Sequence, residues 1–141
     1  MHTPSKNGLA HTFMRNAEGF LEGTVRMSAT DPAAALHHLA IAVELGLKSW
    51  LLDRGYEDEW LKGHIRHDLE LALFHANANG LPDIPKSTAG FIGRLGLVYQ
   101  SHGFHKRPTF DPTSFLFELA HDHIDGILVS VRRRTEKTRG S

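Results

Sequence analysis

Apolar residues recur at three- and four-residue spacing in five stretches of this chain, each bounded by turn or capping residues. In residues 9–28 the repeating positions are Phe13, Ala17, Phe20, Leu21 and Val25. Gly19 and Gly23 interrupt them and weaken the helix, or let a neighbour approach closely. The next start signal is the clearest. Asp31 suits an N-cap, Pro32 suits the first helical position, and alanines follow. Leu36, Leu39, Ala40, Val43, Leu47 and Leu51 then make one stripe, with Gly55 as the stop, so this helix is expected at the centre.

Residues 56–63 read as a connector whose short turn carries Trp60 and Leu61. A third helix is expected over residues 64–79 through Ile65, Leu69, Ala72, Leu73 and Ala76, ending at Gly80. Pro82 and Pro85 keep the next segment extended. A fourth helix, capped by Ser87, carries Phe91, Ile92, Leu95, Val98 and Tyr99 and ends near Gly103. Asp111-Pro112 opens the last and longest helix, with Phe115, Leu116, Leu119, Ile124, Ile127, Leu128 and Val131 on its apolar face. No alternating β-branched run suggests a sheet. Amphipathic helices on short connectors bury their stripes against one another, so the expected fold is all-α, an antiparallel up-and-down bundle of about five helices. One domain over residues 9–134 is expected, between a disordered segment 1–8 and a basic tail 135–141.

At 141 residues the chain supports one core, and 40% hydrophobic with 23% charged residues is a globular balance. It contains no cysteine, which excludes disulfides and thiolate metal sites. No stretch is apolar enough for a signal peptide or a membrane span, so a soluble, cytoplasmic protein is the default expectation. Formal charge is zero overall but uneven. From Arg132 onward five basic side chains face Glu136 alone, leaving the body with a net charge of −4. A basic last turn complements the helix dipole, and the acidic body is no broad nucleic-acid footprint.

Eleven histidines raise acid-base and metal roles. One group is His64-Ile65-Arg66-His67-Asp68, where helical spacing would put His64, His67 and Asp68 on one face. The other is Glu118-x-x-His121, half of a di-metal carboxylate motif. No second Glu-x-x-His exists: Glu18, Glu44 and Glu70 are each followed three residues on by leucine. No metal site is therefore expected, with Glu118 and His121 only weak candidates, and no cofactor is expected. Of the adjacent His37 and His38, one is expected to face a neighbouring helix and the other solvent. Gly90, Gly93 and Gly96 read as a packing strip rather than a phosphate cradle.

The stretch from His37 to Leu52, HHLAIAVELGLKSWLL, resembles the HEPN pattern, in which a helix carries an acidic residue, a small residue and a lysine before paired leucines. Gly63-His64-Ile65-Arg66-His67-Asp68-Leu69 through Asn79-Gly80-Leu81 is similar to that family's His-Asp-Leu and Gly-Leu segment. His105-Lys106-Arg107-Pro108 echoes its Arg-Tyr-Pro, without the tyrosine. The resemblance covers residues 30–132. It implies a helical bundle, often a homodimer, that binds nucleotide or RNA and works beside a nucleotidyltransferase-like partner. Nuclease members carry Arg-x4–6-His, which is missing here: Arg94 to His102 and Arg66 to His75 are the nearest pairs.

The expectation is therefore a non-nucleolytic binding module with no membrane role. Arg66, Arg107 and Lys106 would meet phosphate, His64 and His67 would assist, and Asp68 would orient a histidine or cap a helix. The competing reading of these residues is a solvated helix start with Asp68 as its cap. Rival functions are a ribonuclease completed across a dimer, an adaptor, and a histidine-based metal bundle.

Overall fold

The Asp31-Pro32 signal builds the helix on which the others pack. Asp31 accepts a hydrogen bond from the Ala34 amide at 3.1 Å, and Pro32 occupies the first turn, where its missing N–H costs nothing. The computed structural model describes residues 6–81, 84–100 and 117–139, and every regular element among them is helical. In chain order these are α1 (Lys6–Leu21), α2 (Thr24–Ser28), α3 (Pro32–Asp53), α4 (Asp58–Trp60), a π-turn (Leu61–Ile65), α5 (Leu69–Ala78), α6 (Lys86–Gln100) and α7 (Phe117–Arg139).

The all-α class therefore holds, with more elements than the hydrophobic pattern marks. The first expected helix is two, because Gly23 takes φ +79° and breaks α1 from α2. α1 also begins at Lys6, so residues 6–8 are helical rather than disordered. α6 begins at Lys86, its Ala89 amide bonding to Pro85 O at 3.0 Å, which puts Ser87 inside the helix rather than at its cap. α7 continues to Arg139, so residues 135–139 extend a helix instead of forming a separate tail. The fourth helix's expected end at Gly103 and the Asp111-Pro112 start lie outside the described residues.

Helix α3 touches α1, α2, α5, α6 and α7. Its buried positions run unbroken from Gly46 to Leu52, so its C-terminal half has no solvent face. Ser49 Oγ donates to Ala10 O at 2.7 Å and ties α1 to it through a buried bond. His37 and His38 both meet neighbours: the first stacks edge-on with Tyr99 of α6, the second with Phe20 of α1. Gly93 and Gly96 lie against Glu70 and Leu69 of α5, as a packing strip requires, whereas Gly90 has open space.

At Gly46, α3 packs directly against Leu128 of α7. A Cβ there would overlap Leu128 Cδ2, and Leu128 is itself buried. Gly46→Ala gains helix propensity but must displace a packed leucine, and overpacking of this kind costs about 1–3 kcal/mol. The expected outcome is a lower urea midpoint with an unchanged slope, read by far-ultraviolet circular dichroism.

Candidate functional site

Two charged side chains stand in the most buried part of α3. Glu44 and Lys48 are 8% and 7% exposed, and a charge removed from water must be paired and hydrogen-bonded. Both are. Lys48 Nζ donates to Glu44 Oε2 at 3.1 Å, one helical turn away. Glu44 Oε1 accepts from the Tyr99 hydroxyl of α6 at 2.9 Å and lies 2.7 Å from His67 Nδ1. An ionised carboxylate has only acceptors, so His67 donates through Nδ1 and Nε2 is the nitrogen that Glu44 does not engage. Burial, followed by the neighbouring Glu44 charge, pushes the Tyr99 hydroxyl well above its ordinary pKa and keeps it a donor.

Lys48 has a second acceptor, the carbonyl of Arg66 at 2.7 Å. That bond holds an uncommon backbone. Arg66 has φ 54° and ψ −118°, and the Asp68 amide bonds back to Ile65 O at 3.0 Å. Residues 65–68 thus form a type II′ turn, whose second residue lies near about +60° and −120° and is ordinarily glycine. The Arg66 amide is held as well, by Leu61 O at 2.9 Å across the π-turn. A non-glycine residue in such a conformation costs about 1–3 kcal/mol and persists only where its surroundings over-determine it. Here both of its peptide groups are pinned.

The turn borders an open cleft of about 610 Å³ whose walls carry Lys48, Lys62, His64, Arg66, His67 and Asp68. The structure therefore gathers His64, Arg66, His67 and Asp68 at one place, but not on a helix. The expected helix start at His64 is corrected: α5 begins at Leu69, because the Arg66 turn ends the preceding segment. Asp68 is its N-cap, accepting from the Leu71 amide at 3.0 Å, so it holds the helix, and no histidine is bonded to it among the described residues. His67 is 56% exposed over its buried partner Glu44. Lys62 is exposed and shared with Asp58 at 3.2 Å. No carboxylate pairs with the Arg66 guanidinium among the described residues. Lys106 and Arg107 fall outside the described residues, as does the side chain of Glu118. His121 lies 3.6 Å from Asp122, and no group of three metal-type ligands converges among the described residues.

Sequence reading left Glu44, Lys48 and Tyr99 out of the site. The first two carried a signal: a Glu and a Lys four apart inside VELGLKSWLL, where every neighbouring position is apolar or small. Tyr99 carried none, since it matches the apolar stripe of α6 and only the packing reveals what its hydroxyl meets. Chemically, the arrangement offers a guanidinium for an anion and an imidazole whose orientation a buried carboxylate fixes.

Compared with known proteins, the chain matches no family model, no curated protein and no solved structure.

The raised Tyr99 pKa has a consequence at high pH. Above its ordinary value of 10.0 the unfolded chain releases the phenolic proton while the folded chain retains it. The hydroxyl's contribution is complete below about pH 10 and is lost as pH rises beyond it. Urea midpoints at about pH 9 and about pH 11 should fall more steeply for the native chain than for Tyr99→Phe, which lacks that proton.

Proposed function

We propose that the cleft beside the Arg66 turn binds the phosphate of a nucleotide or RNA, and that the chain is a HEPN-type helical module. The observation that carries this reading is the Arg66 turn itself. Strained backbone held at a cleft is characteristic of functional positions. Here it sets an arginine, without a carboxylate partner among the described residues, at the border of a space also lined by Lys62, His64 and His67. Guanidinium forks suit phosphate oxygens, and each such charge-assisted bond is strong. The antiparallel up-and-down arrangement, the homodimer and a nucleotidyltransferase-like partner belong to the same proposal and rest on the resemblance alone.

A second reading is favoured by the Glu44–His67 pair. A carboxylate-held imidazole open to solvent beside a guanidinium is the equipment of general base catalysis. On RNA, His67 Nε2 would take the proton of a ribose 2′-hydroxyl as its oxygen attacks the adjacent phosphorus and the 5′-oxygen leaves. This ribonuclease would use Glu44–His67 in place of Arg-x4–6-His.

Arg66→Gly tests the binding reading without confusing binding with folding. Glycine relieves the positive φ, so the urea midpoint should hold or rise, while affinity for adenosine 5′-monophosphate or a short RNA should fall about tenfold or more. Native affinity should also weaken with added salt. Unaltered affinity in a folded Arg66→Gly chain would end the proposal. For the enzymatic reading, purified protein should cut RNA and His67→Ala should not; intact RNA, under conditions where it binds, decides against it.

A further inference from the structure

His64, which borders the cleft, is stacked on an aromatic cluster beside it. Trp60 and His64 lie one turn apart across the π-turn, with ring centroids 4.5 Å apart and planes only 12° from parallel. His64 Nδ1 is 3.0 Å from Trp60 O, which fixes the ring over the indole. The support behind is equally ordered. Tyr56 and His75 meet Trp60 edge-on at 5.2 and 5.3 Å, and the Tyr56 hydroxyl lies 3.0 Å from His75 Nδ1. Asn79 Nδ2 donates to the same hydroxyl at 2.8 Å. The indole is therefore held by Tyr56 and by His75 of α5, and the exposed His64 ring stacked on it borders the cleft.

We infer that this stack is a base-binding ledge, so that the ligand is a nucleoside phosphate unit, free or within RNA, and not a bare phosphate or phosphosugar. This rests on the phosphate reading above and deepens it. Aromatic faces prefer offset stacking on other planar π systems, and a nucleobase is such a system with no sequence requirement. Lys62, His64 and Arg66 alternate along one short segment that borders one cleft. A base laid on His64 would lie beside the cleft that Arg66 and Lys62 also border. At about 610 Å³ the cleft falls in the range of small-ligand sites, which run from about 300 to about 1,000 Å³. The ledge is built before any ligand arrives, so no ring must be ordered on binding.

The test compares adenosine 5′-monophosphate, ribose 5-phosphate and a short oligoadenylate by titration calorimetry on the full chain. Base stacking predicts that adenosine 5′-monophosphate binds about 5- to 150-fold more tightly than ribose 5-phosphate. His64→Ala should erase that difference, and His64→Phe should restore it. Binding should also alter the fluorescence of Trp60, the other tryptophan, Trp50, being fully buried. The tighter of adenosine 5′-monophosphate and oligoadenylate identifies a free nucleotide or a strand as the source, and either result supports the ledge. Equal affinity for the base-bearing and base-free ligands, or an equal loss of both in His64→Ala, overturns the ledge while leaving phosphate binding intact. Failure of all three ligands to bind overturns the phosphate reading, and the ledge with it.

Discussion

Lys48 Nζ joins two things that would otherwise be independent, the buried carboxylate of Glu44 and the carbonyl of Arg66. Burying an ammonium and a carboxylate costs several kcal/mol each, and their mutual attraction alone need not recover it. The remaining hydrogen bonds do the rest. Glu44 has contacts from Lys48, His67 and Tyr99, so both its oxygens are satisfied. Removing one partner of such a pair strands a charge and costs about 3–5 kcal/mol, which makes the whole arrangement cooperative. A well-packed apolar substitute for the pair would fold at least as well, but it could not reach out and hold the turn.

The strain at Arg66 then follows from the core. A positive φ at arginine is unfavourable in isolation, and two anchors maintain it, Leu61 O on the amide and Lys48 on the carbonyl. Around that turn the polar groups divide by role. Asp68 is spent on capping α5, Glu44 on neutralising Lys48 and orienting His67, and Tyr99 on Glu44. Arg66 remains as the cation without a carboxylate partner among the described residues at the cleft. On the other side, Tyr56, His75 and Asn79 hold Trp60 and so His64. One short segment, from Trp60 to Asp68, thus receives its shape from α3 on one side and α5 on the other.

Much of the site was legible because its parts are adjacent in the chain. His64, Arg66, His67 and Asp68 cannot be far apart in any fold, and their chemistry is visible in their side chains. Their geometry was not legible. Apolar periodicity runs through Ile65 to Leu69 as if one helix began at His64, and nothing local announces that Arg66 will adopt a conformation that glycine normally supplies. The π-turn was hidden as well, since a five-residue ring leaves no mark in a three- and four-residue apolar pattern. Tyr99 was hidden because a tyrosine on an apolar stripe satisfies the pattern whether or not its hydroxyl finds a carboxylate.

The sequence by itself determined the helical class, the central helix with its Asp31 cap and Gly55 stop, the break at Gly23 as a weak point, and the segment carrying the polar chemistry. Those features depend on periodicity, capping and glycine conformations, which act over three or four residues. Tertiary structure alone decided that Glu44 and Lys48 are inside, that Lys48 reaches 18 residues along the chain to Arg66, and that Tyr99 reaches 55 residues back to Glu44. Such contacts are selected by the cost of leaving a buried charge or donor unsatisfied, and that cost exists only once the helices have closed over it.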